Sequence, residues 1–92
     1  MPRVRKADLQ VAVDVLNRRA GTPPVPFQYD AFRRRLAQPG CFHLEFSRLR
    51  SVCLLEVTDR RGSVRDVFGR GFMPYGTLAK ALRVFTALQG WR

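Results

Sequence analysis

The sequence predicts one α+β domain with the order helix, three-stranded antiparallel meander, helix (αβββα). Three patterns indicate it: an apolar stripe at helical spacing near the start of the chain, apolar residues at alternate positions in the middle, and a second helical stripe near the end. A chain of 92 residues holds one core, so we expect a single domain over residues 1–92. Each helix and the sheet have one apolar face, and the simplest burial places both helices on one face of the sheet.

Two stripes define the helices. Positions 9, 12, 13 and 16 are apolar, which predicts a helix from about Lys6 to Arg19 with Gly21 at its end. Three prolines in residues 22–26 then predict a stiff extended connector. The second stripe begins at Leu78 and predicts the closing helix, with Pro74 in its first turn.

Residues 28–38 are ambiguous, and the conformation of residues 22–40 stays open. Tyr29, Phe32 and Leu36 have the spacing of a short helical stripe. Such a helix would turn Arg33, Arg34 and Arg35 toward water.

The strands follow from alternation. Phe42, Leu44 and Phe46 alternate with polar or small residues, which predicts the first strand. A four-residue turn at residues 48–51 would pair Phe46 with Cys53 and Phe42 with Val57. A second turn at residues 59–62 leads into a third strand over about residues 63–68, in which Asp66 points inward without an evident reason.

This pairing leaves one sheet face open, with three apolar side chains on it: Val52, Leu54 and Val67. An exposed apolar patch marks a contact surface, here for a partner, for a second copy in a homodimer, or for residues 27–36. The pairing also places Cys41 and Cys53 on opposite faces, so both are predicted to be free thiols.

Charge is the strongest global signal. The 17 basic and 7 acidic residues give a net charge of +10 and a sequence pI of about 11.4, which favours nucleic acid or an acidic protein surface as partner. All basic residues but Lys6 and Lys80 are arginine, a bias that a GC-rich genome or a thermophilic host also produces. Arg18 and Arg19 are assigned to the helix C-terminus, where cations are favourable. The candidate anion-binding residues are Arg3, Arg5, Lys6, Arg33, Arg34, Arg35, Arg48, Arg50, Arg60 and Arg61.

Catalysis, metal binding and cofactor binding are not expected. His43 is the only histidine, with Cys41 on the same strand face and Glu56 opposite, but no oxyanion donor or substrate pocket is indicated. Two cysteines on opposite faces and one histidine do not form a zinc site. The longest apolar runs have three or four residues, so we expect no membrane contact and a cytoplasmic location.

Two resemblances follow from these elements. The αβββα order is similar to that of the double-stranded-RNA-binding domain, although the lysine cluster of that family corresponds here to Thr77–Ala81, with Lys80 alone. Residues 9–90 also resemble small uncharacterised bacteriophage proteins, through Leu16-Asn17, Gly21-Thr22-Pro23, and Leu78, Leu82, Arg83 and Phe85. That resemblance implies that the protein is located in the cytoplasm of a host cell.

Two functions fit this sequence. The first is a non-enzymatic module that binds nucleic acid through surface arginines with little base readout. The alternative is an inhibitor or modulator that docks on an acidic surface of a host protein complex. Bases stack on exposed aromatic side chains in single-strand binders, and the candidates for that role are Phe27, Tyr29, Tyr75 and Trp91.

Overall fold

The computed structural model describes residues 3–89, which form two helices and six strands. In chain order these are α1 (Lys6–Ala20), β1 (Phe27–Tyr29), β2 (Arg35–Ala37), β3 (Phe42–Phe46), β4 (Ser51–Val57), β5 (Val64–Asp66), β6 (Met73–Pro74) and α2 (Tyr75–Leu88). The α+β class is confirmed, as is the order of helix, antiparallel strands and C-terminal helix. The three predicted strands are present as β3, β4 and β5 in meander order, but the prediction was incomplete, because β6 also joins this sheet and β1 and β2 form a second one.

The main sheet is built around β4. Strand β3 pairs with one edge of β4, while β5 and β6 share the other edge, β5 opposite Leu55–Val57 and β6 opposite Ser51 and Val52. Strands β5 and β6 are therefore two parts of one interrupted edge, separated by residues 67–72.

The interruption explains the orientation of Asp66. Asp66 pairs with Leu55, on the face directed away from the helices, and its carboxylate accepts hydrogen bonds from the backbone N–H of Gly69 (3.1 Å) and Gly71 (2.6 Å). These bonds, with that from Gly71 first, lower the pKa of Asp66. Asp66 thus holds the loop between β5 and β6 and does not enter the core.

Residues 27–37 form a β-hairpin, so the helical interpretation of residues 28–38 is wrong. Strand β1 pairs with β2, with Tyr29 opposite Arg35. One carboxylate oxygen of Asp30 accepts the N–H groups of Phe32 (2.8 Å) and Arg34 (2.9 Å), which closes a loop in place of a helical turn. An aspartate that bonds the backbone two residues ahead favours turns over helix, and this local bond decides the conformation.

The register of β3 on β4 differs from the predicted register by one residue. Phe46 pairs with Val52 and Leu44 with Leu54. The loop contains three residues in place of four, because the N–H of Ser47 donates to the carbonyl of Ser51 and Arg50 adopts a left-handed conformation (φ 57°). A one-residue change of register exchanges the two faces of a strand. Every apolar residue of β4 therefore lies on the sheet face opposite to the predicted one.

The corrected register changes the predicted partner surface. Val52 and Leu54 are fully buried in the main core, and Val67 packs against the same core. The patch predicted to bind a partner or a second copy is therefore interior. Its place on the outer face is taken by Leu55 and Val57, both buried, and Val57 lies in a second cluster with Ala37 and Cys41 under the β1–β2 hairpin.

Both helices pack on one face of the main sheet. The core contains residues of α1, of β3, β4 and β6, and of α2: Leu9, Val13, Leu16, Phe42, Val52, Leu54, Met73, Leu78 and Leu82. Leu44, Phe46 and Phe85 pack against this core, as the sequence predicts for them. Helix α1 ends at Gly21, which has φ 72° as a C-terminal cap.

Both cysteines are free and buried, as predicted, but the predicted reason is wrong. Cys53 pairs with Glu45, which is four residues from Cys41 along the chain. At about 3.3 Å per residue the two cysteines are roughly 13 Å apart along the strand direction. Distance, and not opposite faces, prevents a disulfide bond.

The described part of the molecule measures 47 × 35 × 22 Å along its principal axes. Within residues 3–89, neither helix has the length and hydropathy that a membrane crossing requires.

The corrected register makes a direct prediction. Leu54→Ala removes a fully buried side chain and should lower the free energy of unfolding by about 2–5 kcal/mol. Leu49→Ala is the control, because Leu49 is 88% exposed in the neighbouring loop and its loss should change stability by about 0.5 kcal/mol or less. Urea unfolding of both variants measures the difference, and equal effects would contradict the register.

Candidate functional site

The predicted anion-binding residues separate into two groups, and one group lines a single depression. Arg3, Arg5, Lys6, Arg48 and Arg50 surround a depression of about 410 Å³ together with Val4, Ser47 and Tyr75. We call this depression the basic cleft. Its cations come from the start of α1 and from the β3–β4 loop, and 41 residues of the chain separate Lys6 from Arg48.

The first wall of the cleft is the start of α1. The carboxylate of Asp8 accepts the backbone N–H of Arg5 at 2.9 Å, which satisfies one of the free N–H groups at the helix start. The same carboxylate lies 3.5 Å from Nε of Arg5. The ammonium group of Lys6 lies 5.1 Å from the ring centroid of Phe46, a cation–π distance that holds it over β3.

The second wall is the β3–β4 loop, which has a fixed shape. The hydroxyl oxygen of Ser47 accepts the N–H groups of Leu49 (3.2 Å) and Ser51 (3.3 Å). Arg50 occupies the left-handed region, which glycine and asparagine normally fill. Arg48 and Arg50 are therefore presented on an ordered loop, and the chain accepts a strained backbone at a position where an arginine reaches the cleft.

The third wall is the start of α2. A shallow extension of the cleft, about 390 Å³, is lined by Arg3, Arg50, Tyr75 and Gly76. Tyr75 is held by the ring of Phe46, at 5.8 Å between centroids in an edge-to-face arrangement. The first turn of α2 contains no acidic residue, so its N–H groups and the positive end of its dipole add to the field of the arginines.

The charges of the cleft are poorly compensated. Among residues 3–89, the ion pairs join Arg5 to Asp8, Arg34 to Asp30, and Arg65 to Glu56. Arg3, Lys6, Arg48 and Arg50 take part in none of them. Cations at the start of α1 also reverse the favourable arrangement of charge and helix dipole, which is worth about 0.3–1 kcal/mol for each charge. A bound anion would relieve this repulsion, so the cleft is suited to phosphate or carboxylate groups.

The other predicted arginines lie at the opposite end of the main sheet. Arg33, Arg34 and Arg35 belong to the β1–β2 hairpin, and Arg60 and Arg61 to the β4–β5 turn. A methyl group on Gly62 would lie 3.4 Å from the ring of Phe27, so the hairpin and this turn are neighbours. The two turns of β4 are about 20 Å apart along the strand. The structure therefore joins five of the ten candidates in the cleft and separates the other five from it.

Three loops share one construction that the sequence interpretation missed. An oxygen of Asp30, Ser47 or Asp59 accepts the N–H groups two and four residues ahead. Three residues ahead, each loop has a positive φ: 60° at Arg33, 57° at Arg50 and 90° at Gly62. The signal in the sequence is the short polar acceptor at the first position of each loop, followed by arginines.

Of the residues considered for catalysis, Cys41 and Cys53 are buried and weakly reactive, and His43 is half-buried. Burial raises the pKa of Cys41 to about 11, and burial followed by the charge of Asp66 raises the pKa of Cys53 to about 11. Both thiols are therefore protonated at neutral pH. Burial lowers the pKa of His43, and Nε2 of His43 has no hydrogen-bond partner within residues 3–89. In the same part of the chain, no three acidic, cysteine or histidine residues are arranged to hold a metal ion.

A second concave surface lies between the helices. This interhelical groove has a volume of about 700 Å³. Its floor is apolar, with Leu9, Ala12, Ala79 and Leu82, and its charged lining consists of four arginines and one carboxylate: Arg3, Arg5, Arg19, Arg83 and Asp8. The groove is open because Ala12 and Ala79 are small. Sequence reasoning assigned Arg19 to the helix end and did not anticipate the groove.

The aromatic candidates have different environments. Phe27 packs in the second cluster under the guanidinium of Arg35, at 4.2 Å. Tyr75 is half-buried against Phe46, whereas Tyr29 is 71% exposed. Trp91 lies outside the described residues. Among the aromatic residues of the described segment 3–89, Phe32 has the most exposed ring (79%), and the sequence interpretation assigned Phe32 to a helical stripe.

The chain matches no protein-family model, and no curated protein or solved structure shows significant similarity to it. The two resemblances drawn from short motifs and element order therefore stay predictions.

The strained loop of the cleft provides a test. Arg50→Gly removes the left-handed strain, worth about 1–2 kcal/mol, at a cost of about 0.5–1 kcal/mol for the greater freedom of glycine when unfolded. We expect the free energy of unfolding to stay equal or to rise by up to about 1 kcal/mol. Arg48→Gly, two residues away with a negative φ, gains no such relief and should be destabilised. Urea unfolding distinguishes them, and equal destabilisation would contradict the loop geometry.

Proposed function

We propose that this protein is a non-enzymatic module that binds nucleic acid through phosphate contacts in the basic cleft. One observation carries the proposal: five cations from two distant segments converge on one depression, and no carboxylate among residues 3–89 lines it. From the resemblance to small bacteriophage proteins we add that the module acts as an accessory protein in the cytoplasm of a host cell.

The chemistry of the cleft favours phosphate. Guanidinium groups donate pairs of parallel hydrogen bonds that match two phosphate oxygens. Arg48 and Arg50 occupy one side of the cleft and Arg3 the other, while Tyr75 and Gly76 bring the start of α2 beside them. Backbone N–H groups at a helix start bind the same ligand. A chain of phosphates therefore has donors on three sides.

The cleft offers charge but few groups that read bases. Arginine, lysine and backbone N–H contacts to phosphate determine position and affinity, and they carry no sequence information directly. We therefore expect similar affinity for different sequences at a given salt concentration. Affinity should be highest at low salt, because phosphate neutralisation releases counterions.

The interhelical groove favours a second candidate function. An apolar floor between two helices with arginines on its rim is suited to an amphipathic helix whose polar side is acidic. In this alternative the protein modulates a host protein complex by docking on such a helix. Arg19 and Arg83 line the groove and not the cleft, so they separate the two functions.

Two matched double variants test the proposal, since each removes two positive charges. Each phosphate contact contributes about 4- to 5-fold to affinity at 0.15 M salt, from slopes of about 0.7–0.9 per contact. We expect Arg48→Ala/Arg50→Ala to weaken binding of a labelled oligonucleotide by about 15- to 30-fold, equally for unrelated sequences. Arg19→Ala/Arg83→Ala is the control and should change affinity by about 3-fold or less. Fluorescence anisotropy measures both.

Equal losses in the two variants would show a diffuse charge effect and contradict a defined cleft. A dissociation constant weaker than about 100 μM for both DNA and RNA at physiological salt lies at the weak end of non-specific binding. That result would reject the nucleic-acid proposal and leave the docking of an acidic helix in the interhelical groove as the candidate function.

A further inference from the structure

The tip of the β1–β2 hairpin exposes aromatic and apolar side chains. Phe32 is 79% exposed, Tyr29 71% and Leu36 45%. Leu36 pairs with Gln28 and Tyr29 with Arg35, so Leu36 lies on the opposite face of the hairpin from Tyr29. Single exposed apolar residues are ordinary on protein surfaces, but two exposed rings three residues apart at one hairpin tip suggest a contact surface. The hairpin therefore leaves rings in water that the fold does not use.

These rings stand on an ordered loop. Asp30 accepts the N–H groups of Phe32 (2.8 Å) and Arg34 (2.9 Å), and its second oxygen lies 2.8 Å from Nε of Arg34. The N–H of Arg33 also donates to the carbonyl of Asp30, at 3.0 Å. A ring presented on a fixed loop loses little conformational freedom when a ligand stacks on it.

Cations lie beside the rings. The guanidinium carbon of Arg34 is 5.3 Å from the ring centroid of Phe32, and the exposure of Phe32 leaves the rest of its ring open to solvent. Arg35 lies directly opposite Tyr29 in the hairpin register. Within residues 3–89, Arg33 and Arg35 form no ion pair, so they are available to an anion.

The neighbouring β4–β5 turn extends this charge. Gly62 lies against Phe27 at the base of the hairpin, which brings Arg60 and Arg61 to the same end of the sheet. Asp59 holds that turn by accepting the N–H groups of Arg61 (2.9 Å) and Ser63 (3.1 Å). Open aromatic faces and unpaired cations thus occur together at the end of the molecule opposite the cleft.

We propose that the β1–β2 hairpin is a stacking platform for unpaired bases, so that the protein prefers single-stranded nucleic acid. The inference rests on the proposed function only in taking a nucleic acid as the ligand. Aromatic rings beside arginines bind single strands because every base has a π-face and every nucleotide a phosphate. In a duplex the bases already stack on one another, so a duplex gains only the charge contacts. Phe32 and Tyr29 supply the stacking, and Arg33 and Arg35 the phosphate contacts.

The test is Phe32→Ala with two matched oligonucleotides, a single-stranded oligothymidine and a duplex of equal length. Stacking is worth about 1–3 kcal/mol per base, so affinity for the single strand should fall by about 5- to 150-fold and affinity for the duplex should not change. Phe32→Tyr should restore the affinity, whereas Phe32→Leu, which keeps the apolar surface, should not. Leu49→Ala is the control, because Leu49 has the corresponding position in the β3–β4 loop and is 88% exposed. Circular dichroism of each variant checks the fold.

Two results would overturn the inference. An unchanged single-strand affinity in Phe32→Ala rejects stacking at this ring. If Phe32→Leu binds the single strand as tightly as the unmodified protein does, the ring makes an apolar contact, as at a protein interface, and does not stack on bases. The proposals for the cleft and for the hairpin can be rejected independently. Arg48→Ala/Arg50→Ala should weaken binding of single strands and duplexes alike, whereas Phe32→Ala should weaken binding of single strands alone.

Discussion

The side-chain amide of Asn17 joins α1 to the main sheet, and the position of the basic cleft depends on this contact. Its oxygen accepts the backbone N–H of Phe42 and its nitrogen donates to the carbonyl of Phe42, both at 2.9 Å. The hydroxyl of Thr22 donates to the same oxygen at 2.8 Å. Asn17 is 1% exposed. Because β3 is an edge strand, this amide takes the place of a further strand at Phe42 and fixes the end of α1 there.

The similar lengths of α1 and β3 then place the two cation-bearing walls of the basic cleft next to each other. From Asn17 back to Lys6 the helix extends about 16 Å at 1.5 Å per residue. From Phe42 forward to Ser47 the strand extends about 16 Å at 3.3 Å per residue. The start of α1 and the β3–β4 loop are therefore equally far from the anchor at Asn17. The contact between Lys6 and Phe46 joins the two ends, and the cations of both segments meet.

Periodicity predicted much of this fold and local hydrogen bonds decided the rest. The helices and β3 follow from apolar spacing, and their packing on one sheet face follows from burial. The register of β4 was wrong because Arg50 fills a left-handed position without glycine, and the hairpin was missed because the aspartate turn at Asp30 outweighs a helical spacing. Candidate cations could be read from the sequence. Their division between a cleft and a hairpin could not, since it depends on Asn17 and on the two loops.

The salt dependence of binding tests the central claim most directly. Binding of the unmodified protein to a duplex and to a single strand should be measured between about 50 and 200 mM salt. Five phosphate contacts in the cleft predict that log K falls with log salt at a slope of about −4.5 for a duplex and about −3.5 for a single strand, or more steeply where the hairpin arginines also engage. A slope shallower than about −1 for both ligands would contradict the claim that the basic cleft binds phosphates.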